Sequence, residues 1–394
     1  MTPTMIFHLP WTPDIEGNRA PLIRPARMLA AFQENGWNVL EVTGPRAQRR
    51  QAMQRVHKFA QNGGQIDMVY SECATTPTTI IEPGHWPPVP FLDANFLGWL
   101  SRRGIPIGLF YRDVYWRLDD YKRMVRQPLR GILKILYRHD LRGYSRFLKY
   151  LYLPTLEMGQ TLPIFPQSRM RTLPPGGIIP QSPAVPSQSG ELRLLYVGAL
   201  GHYYRIDTLL EALRVVPQAH LTVVTQKEQW ETYRCSLPDG VPANVSFQPA
   251  SGEKLQQIYA RTDLSMLFME SNQFRELTLP VKLFEAIGWA CPLVAGEGSM
   301  AGRFVAENQA GWVLPVVAQD LIDLLQDLVK HPQKLADKRA ELLKIRENHT
   351  WNARARQVEN DLLGRLTTTA ESKPGDVLNP ADTEDSNLPQ SAEE

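Results

Sequence analysis

Residues 192–213 read LRLLYVGALGHYYRIDTLLEAL, and this stretch decides the fold. A short apolar run ends in a turn carrying Gly198 and Gly201, and leucines at helical spacing follow. That order predicts a strand, a tight turn and a helix. Working outward, HLTVVTQ, VSFQPA, DLSMLFME and CPLVAGEG read as further strands, with IDTLLEALRVV, EKLQQIYARTD and VKLFEAIGWA as helices. The stretch from Gln319 to Leu366 is mainly helical in pattern. Toward the N-terminus, MIFHLP, WNVLEVTG, QIDMVYSE and IPIGLFYRD read as strands, and LIRPARMLAAFQENG and PFLDANFLGWLSRRG as helices. Strands alternating with helices predict α/β architecture with mostly parallel sheets. The segment from Pro174 to Gly190 is rich in proline, glycine and serine and lacks periodicity, so it reads as the connection between two doubly wound domains. Such a pair places a ligand cleft at the carboxyl ends of both sheets.

The chain has 394 residues, 43% of them hydrophobic and 21% charged, enough apolar content for two cores. No segment approaches the roughly 18–20 apolar residues that span a bilayer. MTPTMIFHLPW has neither a basic leader nor a cleavage-site pattern, so no secretory signal is expected. Cys73, Cys235 and Cys291 lie far apart, which argues against a disulfide framework or a zinc site and for a reducing cytoplasm. The net charge of +2 is unevenly spread. Residues 367–394 hold seven acids, one lysine and no aromatic residue, and are expected to be a disordered tail. Between Ser101 and Tyr150, thirteen Lys/Arg face four acids, so this stretch alone carries +9. Local charge of that density calls for a local anionic partner.

Three segments together resemble the group 1 (family 4) glycosyltransferases of the GT-B fold: residues 192–213, residues 263–298 (DLSMLFMESNQFRELTLPVKLFEAIGWACPLVAGEG) and the terminal TWNARARQVENDLL. The likeness covers residues 192–365 well and the first half in layout only. It implies a GT-B α/β fold: an acceptor-binding, Rossmann-like domain over 1–180, a linker at 181–191 and a nucleotide-sugar domain over 192–349. A helix at 350–366 would cross back to the first domain, followed by the tail at 367–394. It also implies transfer of a sugar from a UDP- or GDP-sugar to a glycan or lipid-linked hydroxyl, with retention of configuration. Bacterial capsule, exopolysaccharide or cell-wall glycan assembly is the expected setting.

Cleaving a sugar nucleotide puts negative charge on a diphosphate, which backbone N–H groups at a helix start and a cation stabilise. Gly198 and Gly201 would let the backbone approach it. Arg205, seven residues after Gly198, matches the family's diphosphate-binding lysine, whereas Ala199 replaces a usual arginine. Glu285, in P-x-K-x-F-E, matches the acid that accepts hydrogen bonds from the ribose, with Lys282 one helical turn earlier facing it or a phosphate. The family's paired acids are eight positions apart, whereas Glu276 is nine before Glu285. Glu276 is therefore an off-register candidate for the first acid, and the N–H groups of Leu277, Thr278 and Leu279 are candidates for the donor sugar or phosphate. No DxD-type cluster is present, and neither a metal nor a cofactor is expected.

In the first half, the loop after MIFHLP carries Gly17 and basic Arg19, Arg24 and Arg27, candidates for a donor or acceptor phosphate. Asp113 ends the strand LFYRD, where many family members have a histidine in the equivalent layout; with Arg112 it is the local candidate, as general base or acceptor-orienting group. The basic, tyrosine-rich region 117–150 reads as an interfacial segment on an anionic membrane, which places the chain in the cytoplasm at the inner membrane face. No nucleic-acid motif accompanies the charge. Two other readings remain open: a sugar-nucleotide epimerase on the same fold, and a non-catalytic sugar-nucleotide-binding partner of another transferase.

Overall fold

The computed structural model describes residues 2–14, 20–82, 91–181, 190–202 and 204–365. Gly17, Arg19, linker residues 182–189 and the tail 367–394 lie outside them. Two sheets of six parallel strands organise the chain. The first holds β1 (Thr4–His8), β2 (Asn38–Val42), β3 (Met68–Glu72), β4 (Ile107–Phe110), β5 (Tyr150–Leu153) and β6 (Met170–Thr172), in the order β2-β1-β3-β4-β5-β6. The second holds β7 (Leu192–Val197), β8 (Ala219–Val224), β9 (Val245–Phe247), β10 (Leu264–Leu267), β11 (Leu293–Gly296) and β12 (Gly311–Leu314), in the order β12-β11-β10-β7-β8-β9.

Helices cover both faces of each sheet, so β1, β3, β4, β10 and β11 are buried along their whole length and are mainly apolar, with the polar residues Thr4, His8, Ser71, Glu72 and Ser265 buried among them. Edge strands β2, β9 and β12 stay partly exposed and tolerate polar residues. Strand order reverses direction between β1 and β3 and between β7 and β10, and a crevice opens at the carboxyl end of each such pair.

The chain leaves the first sheet, builds the second and returns. The helix Trp351–Leu363 opens with the Thr350 hydroxyl accepting from the Ala353 N–H at 3.1 Å and closes at Gly364 with φ of 67°. Its buried face (Trp351, Ala355, Val358, Leu362) packs against Phe7, Phe32, Trp37, Tyr70, Phe110 and Tyr152 of the first half. Trp37 Nε1 donates to Glu359 at 3.2 Å, and Gln357 donates to the Thr172 carbonyl at 2.7 Å. The outgoing and returning connections run side by side: the Gly177 N–H donates to the His349 carbonyl at 2.7 Å and the Trp351 N–H to the Gly177 carbonyl at 3.3 Å. Trp351→Ala is expected to cost about 3–5 kcal/mol, as emptying a buried aromatic site does. Chemical denaturation followed by far-UV circular dichroism checks this.

Candidate functional site

At the carboxyl end of β7 the backbone turns at Gly198 and Gly201, with φ of 149° and 154°. Gly201 and Tyr204 exchange backbone hydrogen bonds of 3.0 and 3.2 Å, closing a tight turn before the helix Asp207–Val215. Facing this turn is the helix Val281–Gly288, entered through Pro280 and held by buried Leu283, Phe284, Ala286 and Ile287. That apolar face leaves Lys282 and Glu285, three apart, together and half-buried.

The Lys282 ammonium lies 4.5 Å from the centroid of the Tyr196 ring and 2.9 Å from where a Cβ at position 198 would sit. Glycine at 198 is therefore what gives the cation room. Burial, reinforced by the charge of Arg275, pushes Lys282 down to about 7, and Glu285 only partly offsets this. Glu285 is pushed up by burial and drawn back by Arg27 of the first-half helix Ala20–Glu34 and by Lys282.

Arg275, which sequence reasoning passed over, supplies the second cation. Asn272 Oδ1 accepts from the Phe274 and Arg275 N–H groups at 3.1 and 2.9 Å, forming an Asx turn that sets the loop. The Arg275 guanidinium then lies 5.2 Å from the centroid of the Tyr204 ring and donates to the Glu270 carbonyl. The only sequence signal was a basic residue in the polar stretch between β10 and a helix start.

The other expected residues are placed as follows. Arg205 makes a two-pronged ion pair with Asp207, at 2.6 and 2.9 Å, and is exposed, so it does not share the Lys282–Arg275 neighbourhood as a free cation. Glu276 is exposed, in keeping with its off-register spacing. Leu277 gives its N–H to the Phe274 carbonyl at 3.2 Å and packs its side chain against the first-half core, so its N–H is not offered to a donor. The Thr278 hydroxyl donates to the Phe274 carbonyl at 2.8 Å, and Leu279 packs in the second-half core.

In the first half, Asp113 is buried, accepting from the Thr75 hydroxyl at 2.7 Å and the Tyr115 N–H at 3.4 Å, and burial raises its pKa. That placement suits the ordering of a turn better than proton abstraction from an acceptor. The Arg112 guanidinium stands 4.8 Å from the Trp11 ring centroid and 3.9 Å from Glu72. Arg24 lies 3.4 Å from Glu72 and 3.4 Å from the centroid of the Phe110 ring, inside the first half rather than toward the donor turn. A second buried network escaped sequence reasoning: His8 lies 2.8 Å from Ser71 and 2.9 Å from Asp93, and Arg49 grips both Asp93 oxygens at 2.9 and 3.0 Å. Those four residues lie 22–85 positions apart in pairs no motif links, so only the fold brings them together.

With this geometry in view, the likenesses can be read. Residues 180–347 match the glycosyl transferases group 1 family, so the likeness to that family lies in the second half, and the chain as a whole has the GT-B fold. Among solved structures, Anabaena HepE in complex with UDP and glucose is similar at 14% identity and a TM-score of 0.60, covering 92% of this chain and 99% of that one. A sucrose-phosphate synthase from Thermosynechococcus elongatus is similar at 14% identity and a TM-score of 0.58, covering 91% and 98%. WaaG, a glycosyltransferase involved in lipopolysaccharide biosynthesis, is similar at 14% identity and a TM-score of 0.57, covering 91% and 100%. A search of the curated proteins finds no match.

The Lys282 shift makes a stability test. Its folded value of about 7 lies below the ordinary 10.5, so between those values the unfolded chain holds more protons than the folded one. Stability contributed at this site therefore rises with pH across that window. The difference in unfolding free energy between the ligand-free protein and Lys282→Met, measured by denaturant titration from pH 7 to pH 10, is expected to shift in favour of wild type as pH rises.

Proposed function

We propose that this protein transfers a sugar from a nucleotide diphosphate sugar to a hydroxyl of a glycan or lipid-linked acceptor, with retention of configuration, in bacterial capsule, exopolysaccharide or cell-wall glycan assembly. The observation that carries the reading is the convergence of Lys282 and Arg275 on the Gly198–Tyr204 turn with Glu285 one helical turn behind. Two cations held close together and partly out of water form a site for a diphosphate, whose charge grows as the glycosidic bond breaks. The turn brings backbone close to the same place, and the helix beginning at Val281 adds its positive end. These groups supply the positive charge a metal ion would otherwise bring, and we propose a metal-independent reaction on that ground. Glu285 accepts the two ribose hydroxyls; burial raises its pKa, and the charge of Arg27 from the first half partly offsets that. Because HepE binds UDP and UDP-glucose, uridine is the first base to test.

Release of UDP or GDP from a panel of nucleotide sugars tests the reading. One donor should be turned over, with Lys282→Ala lowering kcat/KM by about 10²–10³-fold, the scale of losing a group that meets transition-state charge, and Glu285→Gln acting mainly through a raised KM for the donor. Binding of a nucleotide without turnover of any donor would reassign the chain to a non-catalytic sugar-nucleotide-binding role.

We further propose that the protein works on an anionic membrane surface, at the cytoplasmic face. No helix among the described residues is long and apolar enough to cross a membrane. The helix Leu129–Phe147 buries Tyr137, Leu141 and Tyr144, yet leaves Leu129, Ile132 and Ile135 exposed at 54%, 53% and 64%. A core helix with a charged outer face would not expose three large aliphatic groups among Arg126, Arg130, Lys134 and Arg138. Ile132→Glu with Ile135→Glu should reduce co-sedimentation with vesicles containing phosphatidylglycerol by about tenfold or more, as the apolar and electrostatic terms both fall.

A further inference from the structure

We infer that Tyr115 and Asp119, which belong to the first half, position the donor-binding loop of the second half and so set how tightly the nucleotide is held. The inference rests on the donor reading given above.

Three consecutive residues of the loop divide the work. Gln273 makes a reciprocal pair with Asp119: the Asp119 N–H donates to Gln273 Oε1 at 3.2 Å, and Gln273 Nε2 donates to Asp119 Oδ2 at 3.1 Å. Phe274 stacks on Tyr115, with ring centroids 4.8 Å apart and planes at 10°. Arg275, the next residue, carries the charge over Tyr204. Farther along, the Thr155 hydroxyl donates to the Leu277 carbonyl at 2.7 Å. The loop thus takes its bearings from the first half at 273, 274 and 277 and delivers its cation between those anchors.

The anchors on the first half are themselves fixed. Asp113 accepts from the Tyr115 N–H, so the acid once expected to act on the acceptor orders the turn that supports the donor loop. Burial raises the Tyr115 phenol and the nearby Tyr204 adds to it, so Phe274 on Tyr115 and Arg275 over Tyr204 are neighbouring contacts of one loop. A guanidinium binds a diphosphate well only when its fork is aimed, and this one is aimed by a stack and a hydrogen-bonded pair that exist only while the two halves touch. Tyr115 and Asp119 are positioning residues, acting through Arg275.

The test is a double-mutant cycle on the full chain, read by the dissociation constants of UDP and GDP in isothermal titration calorimetry. Tyr115→Ala should weaken the preferred nucleotide by about tenfold, a coupling of the size seen between residues in contact, while Tyr115→Phe, which keeps the ring, should restore the affinity. In an Arg275→Ala background, Tyr115→Ala should cost nothing further, an outcome that a general loss of structure would not produce. Gln273→Ala, at an exposed position and so compatible with folding, should act in the same direction and also fall silent without Arg275. Losses that simply add to that of Arg275→Ala, or an affinity unchanged by both Tyr115→Ala and Gln273→Ala, would overturn the inference while leaving the donor reading intact. Failure of the wild-type chain to bind either nucleotide would overturn both.

Discussion

An ammonium group and a guanidinium kept near each other, partly out of water, repel one another until an anion arrives. The second half accepts this cost at Lys282 and Arg275, and much of the surrounding structure exists to keep the two groups from separating. Position 198 favours glycine because its φ of 149° is rarely adopted by other residues, and the Tyr196 and Tyr204 rings lie beneath the cations. A site that is electrostatically unfavourable when empty is prepared for an anion, since little reorganisation remains to be done on binding.

The first half solves a different problem. Its carboxyl-end crevice is lined by charged groups that neutralise one another: Arg24 and Arg112 about Glu72, and Arg49 on Asp93, with His8 and Ser71 behind. Buried ion pairs of this kind add little net stability, but removing one partner strands the other. They make a stiff platform. Stiffness there matters because Arg27, Tyr115 and Thr155 all reach from this platform to the elements of the other half that carry Arg275 and Glu285.

Much of the fold was legible in the chain because parallel strands buried on both faces are mainly apolar; MIFHLP and LRLLYVGAL bracket β1 and β7 closely. Lys282 and Glu285 could be found because one helix sets their relation. For Arg205, closeness to the glycine turn does not reveal the carboxylate two residues on that pairs with its guanidinium. Asp113 was found at the right strand end, but its direction depends on Thr75, 38 residues away. Arg275 was hidden for the same reason on a larger scale: its aim depends on Phe274 meeting Tyr115, a contact between distant parts of the chain that no local pattern encodes.

The side-by-side connections at Gly177 and Thr350 have an architectural consequence. Because the returning helix Trp351–Leu363 belongs to the core of the first half, the second half is a loop-out, a long excursion that leaves and re-enters its host through one narrow neck. Tension applied between β1 and that helix would be borne by the host alone, and the guest would hang unloaded. The same neck makes the guest a natural unit of exchange: a different second half could be spliced in at two neighbouring points without breaking the strand order of the host.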